Sequence, residues 1–407
     1  MKRFLILACL AIVAAGCAKK NGGESHEWVR DAVVYEMNVR QMTPEGTFDA
    51  AAEHLPRLKS LGVDIVWLMP VYQIGEKERK GTLGSYYAIK DYKTVNPEFG
   101  DLASFDAFVD KAHRLGLKVV LDWVANHTSP DAAWVSGKPA EWYYRDSLGN
   151  TMVEYDWTDI AKLNYDCAGV RDAEKDCMRF WLDRGIDGFR CDMAYIVPQD
   201  FWSDAIACMR ADYGELYFLA EGEETWLHEA GFDASYSWKL HHLLNDVAQG
   251  RAGRQELVDY IAWNSENYPA DALRLTFTSN HDENSWSGSE LERMGDAWYA
   301  MSVLCFTLPQ SQPLIYTAQE TGYNHRLEFF EKDPVPAQRW DDPELKAAFA
   351  DRYKALIDLY HGHEALREGS FELLDSADDV LAFRRATASD TLTVKVQLVA
   401  PWDCTIE

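Results

Sequence analysis

The chain has 407 residues and carries 66 Asp+Glu against 40 Lys+Arg, a formal net charge of −26. That balance excludes nucleic acid and an anionic membrane surface as main partners, because a phosphate backbone would be repelled. At 47% hydrophobic and 26% charged it is neither disordered nor fibrous, and its length admits one large barrel with an appendage or two to three smaller domains.

Met1-Lys2-Arg3 is a basic start, Phe4 to Ala15 is an apolar stretch too short to span a bilayer, and Ala14-Ala15-Gly16-Cys17 sets small residues before a cysteine. The pattern resembles a bacterial lipoprotein signal. It implies removal of residues 1–16, lipid on Cys17, and an exported cell-envelope protein, periplasmic or at the cell surface, held to the membrane only by that anchor. A plain secretory signal with a chance cysteine is the alternative. Residues 17–28, polar and Gly-containing, read as a tether.

From Val33 onward, short β-rich runs alternate with amphipathic stretches of helical length. A strand is predicted at Val33–Asn38, a helix at Phe48–Leu61 and a strand at Val63–Met69. Next come a helix at Leu102–Leu115, striped by Phe105, Phe108, Val109 and Ala112, and a strand at Lys118–Trp123. The alternation then breaks for an insertion, 128–165, too long for a routine connection and rich in rings (Trp134, Trp142, Tyr143, Tyr144, Tyr155, Trp157). Such rings either pack the insertion's own core or offer flat faces to a sugar. The pattern resumes with a helix at Arg171–Arg184, a strand at Gly188–Asp192, a helix at Phe201–Ala211, and strands at Leu216–Glu221 and Phe232–Tyr236. A helix at Trp238–Ala248, a strand at Leu273–Ser279, a helix at Gly295–Thr307, a strand at Pro313–Tyr316 and a helix near Glu344–Tyr360 complete it. Eight such strands predict an α/β fold, a (β/α)8 TIM barrel over 29–364, whereas an open doubly wound sheet is disfavoured by the count. Two further β-like runs, Val380–Arg384 and Leu392–Val399, make 365–407 a short C-terminal β-domain.

In such a barrel chemistry sits at the C-terminal ends of the strands. Four runs close alike: at Asp122, with Asn126-His127 following, at Asp192, at Glu221, and at His281-Asp282. One strand-end Asp is commonly a helix N-cap. Four carboxylates at one rim cost stability unless function requires them. Glycosidic cleavage does require them: one carboxyl donates a proton to the leaving oxygen while another, ionised, attacks or steadies an oxocarbenium-like centre. Arg190 shares a strand face with Asp192 and would keep it ionised. The remaining candidates are bland. Cys167, Cys177, Cys191, Cys208, Cys305 and Cys404 match no metal spacing. Cys191, Cys208 and Cys305 read as buried thiols, and a Cys167–Cys177 disulfide stays open. The pairs His241-His242 and His361-x-His363 read as surface histidines, and Asp378-Asp379 as a solvated turn.

The segments Asp122-Trp-Val-Ala-Asn126-His127, Gly188-Phe-Arg190-Cys-Asp192-Met-Ala194, Ala220-Glu221-Gly222 and Ser279-Asn280-His281-Asp282 resemble, in order, the four motifs of the α-amylase superfamily, glycoside hydrolase family 13. Tyr35-Glu36, Gly84–Tyr92, Leu163-Asn164 and Pro313–Glu320 extend the likeness. It implies a retaining α-glucan hydrolase acting on maltodextrin or starch fragments, with Asp192 as nucleophile, Glu221 as general acid/base and Asp282 as the carboxylate that distorts the sugar. It further implies substrate binding by Tyr87, Asp122, His127, Arg190 and His281. No cofactor is required for chemistry. Asn126 matches a residue that binds structural calcium in many relatives, but Leu163-Asn164 stands where calcium-binding members often show Leu-Asp. Tyr195-Ile196 replace a Lys-His pair of the leaving-group side, and Ala318 stands where Gly often precedes Gln-Glu. The C-terminal domain is shorter than the family's usual β-sandwich. An α-glucan transglycosylase and a non-catalytic glucan-binding lipoprotein are the alternatives.

Overall fold

Continuous apolar runs such as Ile65-Val-Trp-Leu68, buried on both faces, are what a covered parallel strand needs. In the computed structural model, which describes residues 27–407, eight of them close into a barrel. They are β1 (Val34–Met37), β2 (Ile65–Leu68), β3 (Lys118–Trp123), β4 (Gly188–Cys191), β5 (Tyr217–Ala220), β6 (Ala234–Tyr236), β7 (Leu273–Thr276) and β8 (Ser311–Tyr316). Each pairs in parallel with its sequence neighbour, and β1 closes the ring against β8 with Val34 opposite Leu314. The predicted TIM barrel is the fold, and every predicted strand is present. Cys17, the signal segment and most of the tether lie outside the described residues.

Alternate residues take alternate sides. Val34, Ile65, Trp67, Val120, Tyr217, Leu219, Ala234, Tyr236 and Leu275 form one buried cluster, the barrel interior, whereas Tyr35, Val66, Leu68, Val119, Leu121 and Phe218 belong to the larger layer beneath the helices. The interior set continues at the next step to Glu36, Asp122, Arg190, Asp192 and Glu221. Those residues therefore form its top rung.

The predicted helix Phe48–Leu61 is two helices, Phe48–Ala52 and Leu55–Leu61. Pro56 has no N–H to donate to Ala52, so the ladder breaks there. The next helix, Leu102–Arg114, starts at an Asp101/Ser104 capping box. A helix at Arg254–Asn267 has no counterpart in the predicted elements. Within the insertion, Trp134 packs on Tyr92 and Trp142 (centroids 5.2 and 5.4 Å), and the Tyr143 hydroxyl bonds that of Thr128 at 2.9 Å, so these three rings belong to a local core. The tail forms four antiparallel strands, β9 (Ser370–Leu373), β10 (Val380–Ala386), β11 (Thr391–Gln397) and β12 (Cys404–Ile406), two more than predicted. All six cysteines of the described region are free, so Cys167 and Cys177 form no disulfide; Cys208 is half-buried rather than buried.

Candidate active site

The parallel register sets Asp122 of β3 beside Arg190 of β4. Arg190, fully buried, lies 2.9 Å from Asp122 and 3.1 Å from Asp192 through Nη1, and 2.8 Å from Glu221 through Nη2. The strand ladder continues past the last barrel residues, because Asp192 N–H donates to Trp123 O (2.8 Å) and Glu221 N–H to Cys191 O (3.0 Å). Met193, at φ 44°, turns the chain so that its own N–H donates to Glu221 Oε2 at 2.8 Å. One guanidinium thus touches three carboxylates. Burial pushes the Asp122 carboxyl up to about 6 against the pull of Arg190. Burial, and then the charge of Glu221, push Asp192 up as well. The Arg190 charge pulls both the other way, so the guanidinium offsets part of the cost of burying these acids.

Asp122 is also bonded by Trp67 Nε1 (3.2 Å) and by the Tyr87 hydroxyl (3.1 Å). That hydroxyl reaches His281 Nε2 at 2.8 Å, and the two rings stack at 5.5 Å. On its other nitrogen His281 is held by Glu36, whose second oxygen accepts from His281 N–H at 3.3 Å. Asp282 lies 3.3 Å from the same imidazole and is partly exposed. His127 is buried with no protein partner on Nε2, and burial lowers its pKa to about 4, so a neutral ring nitrogen is left for a ligand.

These residues surround a cavity of about 540 Å³ lined by Tyr87, His127, Asp192, Glu221, His281 and Asp282, with Trp157, Trp286 and Phe329 as aromatic walls. A larger cavity, about 890 Å³, lies between the helix Arg254–Asn267 and the C-terminal sheet, away from these carboxylates. Of the residues expected to bind substrate, Tyr87, His127 and His281 line the cavity, while Asp122 and Arg190 are fully buried beneath it, where their bonds go to other site residues, as the expected role of Arg190 toward Asp192 requires. The sequence reading assigned Glu36, Trp67 and Tyr236 no role, although Tyr236 accepts from Arg190 Nε at 3.2 Å. Their signal was position, on the inward-facing series of β1, β2 and β6. His241, read as a surface histidine, is buried against Phe277 and 3.2 Å from Glu283, whereas His242 is exposed.

The surroundings of Asn126 do not fit calcium. The carbonyls of Val124 and His127 accept from the Tyr92 hydroxyl, that of Ala125 from Tyr165, and that of Asn126 from Leu163 N–H. Among the described residues no three His, Cys, Asp or Glu side chains converge on a metal position, and calcium needs six to eight oxygens.

A paired carboxyl set on one guanidinium, with a neutral imidazole and stacked rings above it, can deliver a proton and a nucleophile to one bond. Comparison with known proteins points the same way. A family model described as the α-amylase catalytic domain matches residues 20–146 and 135–355. The α-amylase MalA of Haloarcula japonica is 30% identical over 93% of this chain and 57% of its own. An α-1,4-glucan:maltose-1-phosphate maltosyltransferase of Salinibacter ruber is 28% identical over 93% of this chain and 61% of its own. The chain therefore spans less than two thirds of these curated relatives. The crystal structure of an α-amylase from Lactobacillus plantarum superposes with a TM-score of 0.83 at 32% identity, covering 90% of this chain and 88% of that one.

Proposed function

Because this chain belongs to the α-amylase family, we propose that it is a retaining hydrolase of α-glucosidic bonds in maltodextrin or starch fragments. The observation that carries the reading is the grip of Arg190 on both Asp192 and Glu221 at the floor of the cavity. Asp192 attacks the anomeric carbon while Glu221 protonates the departing glycosidic oxygen, which leaves a glycosyl ester on Asp192. Glu221 then takes a proton from water, whose oxygen displaces Asp192 and restores the α configuration. Oε2 of Glu221 faces Arg190 and Met193 N–H, so Oε1 carries the transferred proton. Asp282 and His281 bind the hydroxyls of the reacting sugar, His127 accepts or donates through Nε2, and Tyr87 stacks beneath the ring. Asp122 and Arg190 position these groups. The same proposal holds that the protein is exported and that Cys17 carries lipid, supported by the pattern of Met1 to Cys17.

Transfer to a second sugar is the other reading, favoured by the resemblance to the Salinibacter ruber maltosyltransferase. Incubation of purified protein with maltoheptaose, products resolved over time, tests both. Hydrolysis yields shorter sugars only, and Glu221→Gln should lower kcat by about 10² to 10⁴. Products longer than the starting sugar would favour transfer. Binding without cleavage would leave a glucan-binding protein.

A further inference from the structure

The cavity above Arg190 has unlike ends. In the proposed reaction Glu221 protonates the leaving group, which places the departing part of the substrate on the side of Glu221, Met193 and Tyr195. On that side the Tyr155 and Tyr195 hydroxyls lie 3.4 Å apart, and Tyr155 is 62% exposed. The other end is built differently. Lys80 Nζ lies 3.3 Å from Asp159 Oδ1, and that carboxylate is buried although it lines the cavity. This pair joins the segment after β2 to the insertion. On its far side the Lys80 segment is sewn to the chain beyond β8, since Leu83 N–H donates to Phe330 O (3.1 Å) and Thr82 N–H to Glu331 (2.8 Å). Gly81, at φ 60°, is pressed so close to Phe330 that an added Cβ would come within 2.5 Å of it. Three segments remote in sequence thus interlock into one continuous rim.

We propose that this rim makes the cavity a blind pocket for the non-reducing end of an α-glucan. The reacting sugar and few others fit before the Lys80–Asp159 pair, whose ammonium and carboxylate donate to and accept from the hydroxyls of the terminal unit. The chain continues out past Tyr195, so cleavage starts from chain ends. This inference rests on the assignment of Asp192 and Glu221.

The test compares p-nitrophenyl maltoheptaoside with the same compound blocked at its non-reducing end by a 4,6-ethylidene group. Wild type should cleave the free substrate with a kcat/KM at least about tenfold higher than the blocked one. Opening the rim by Lys80→Ala, alone and with Asp159→Ala, should bring the two values within about threefold and lengthen the first products. Equal cleavage of both by wild type overturns the proposal without any variant, and so does a folded Lys80→Ala protein that keeps the wild-type ratio. If wild type cleaves neither compound, the hydrolase reading itself falls, and the blind pocket with it.

Discussion

At the scale of single residues the feature that governs the site is the bond between Glu36 and His281. Burial opposes a charge on that imidazole, but the negative charges of Asp282 and Glu36 outweigh it and raise its pKa to about 9. The ring is therefore a cation at neutrality. Because the folded value lies above the ordinary one near 6.5, its contribution to stability is complete below about 6.5 and is lost as pH rises through about 9. Glu36→Gln removes one of the two charges. The alkaline limb of kcat/KM should then move down by about one pH unit, read from a pH–rate profile. A limb that stays in place would show that His281 does not set it. Asp282 and His281 were legible because they share a short motif; Glu36 was not, being 245 residues away from its partner. His241 and His242 teach the same lesson: both read as surface histidines in the sequence, and only the packing against Phe277 shows that His241 turns inward.

At the scale of elements, the strands were legible because both faces of each are covered and the runs are almost wholly apolar. The helix Arg254–Asn267 was not. Its buried face is Leu257, Tyr260, Ile261 and Asn264, one of them polar, while Val258 and Trp263 lie off it, so the apolar period is blurred. The ion pairs Arg171–Asp200, Lys175–Asp204 and Arg179–Asp212, at 2.7 to 3.1 Å, bridge the helices Ala168–Leu182 and Gln199–Tyr213. These pairs are solvent-facing and contribute little. The turn after β8 is a clearer lever. Ala318 sits there at φ 64°, its N–H donating to the Tyr35 hydroxyl at 3.1 Å. A Cβ costs about 1–2 kcal/mol in that conformation, and glycine gives back about 0.5–1 kcal/mol as chain entropy. Ala318→Gly should therefore stabilise the fold by about 0.5–1 kcal/mol, visible as a higher denaturation midpoint with unchanged activity. A lower midpoint would show that the methyl group's packing outweighs the strain.

At the scale of the whole molecule, the charge of −26 is spread over a surface that keeps clear of polyanions, while a handful of acids is gathered inside around Arg190. Composition revealed the first and could not reveal the second, which needs barrel closure. The proposed anchor is also a matter for the whole chain. Cys17→Ser should release the protein from the membrane to the soluble fraction after cell lysis, scored by immunoblot of the two fractions; continued membrane association would remove the case for lipid. The ring itself bears on time as well as shape. Glu36 on β1 meets His281 after β7, and Tyr35 meets Glu320 after β8 across 285 residues of chain. Contacts of such long loop length form late in folding. A chain still emerging from the ribosome holds every acid of the site in its sequence, yet none in place. The arrangement of the site thus waits on the meeting of the last strand with the first, and a half-made chain carries the acids without their geometry.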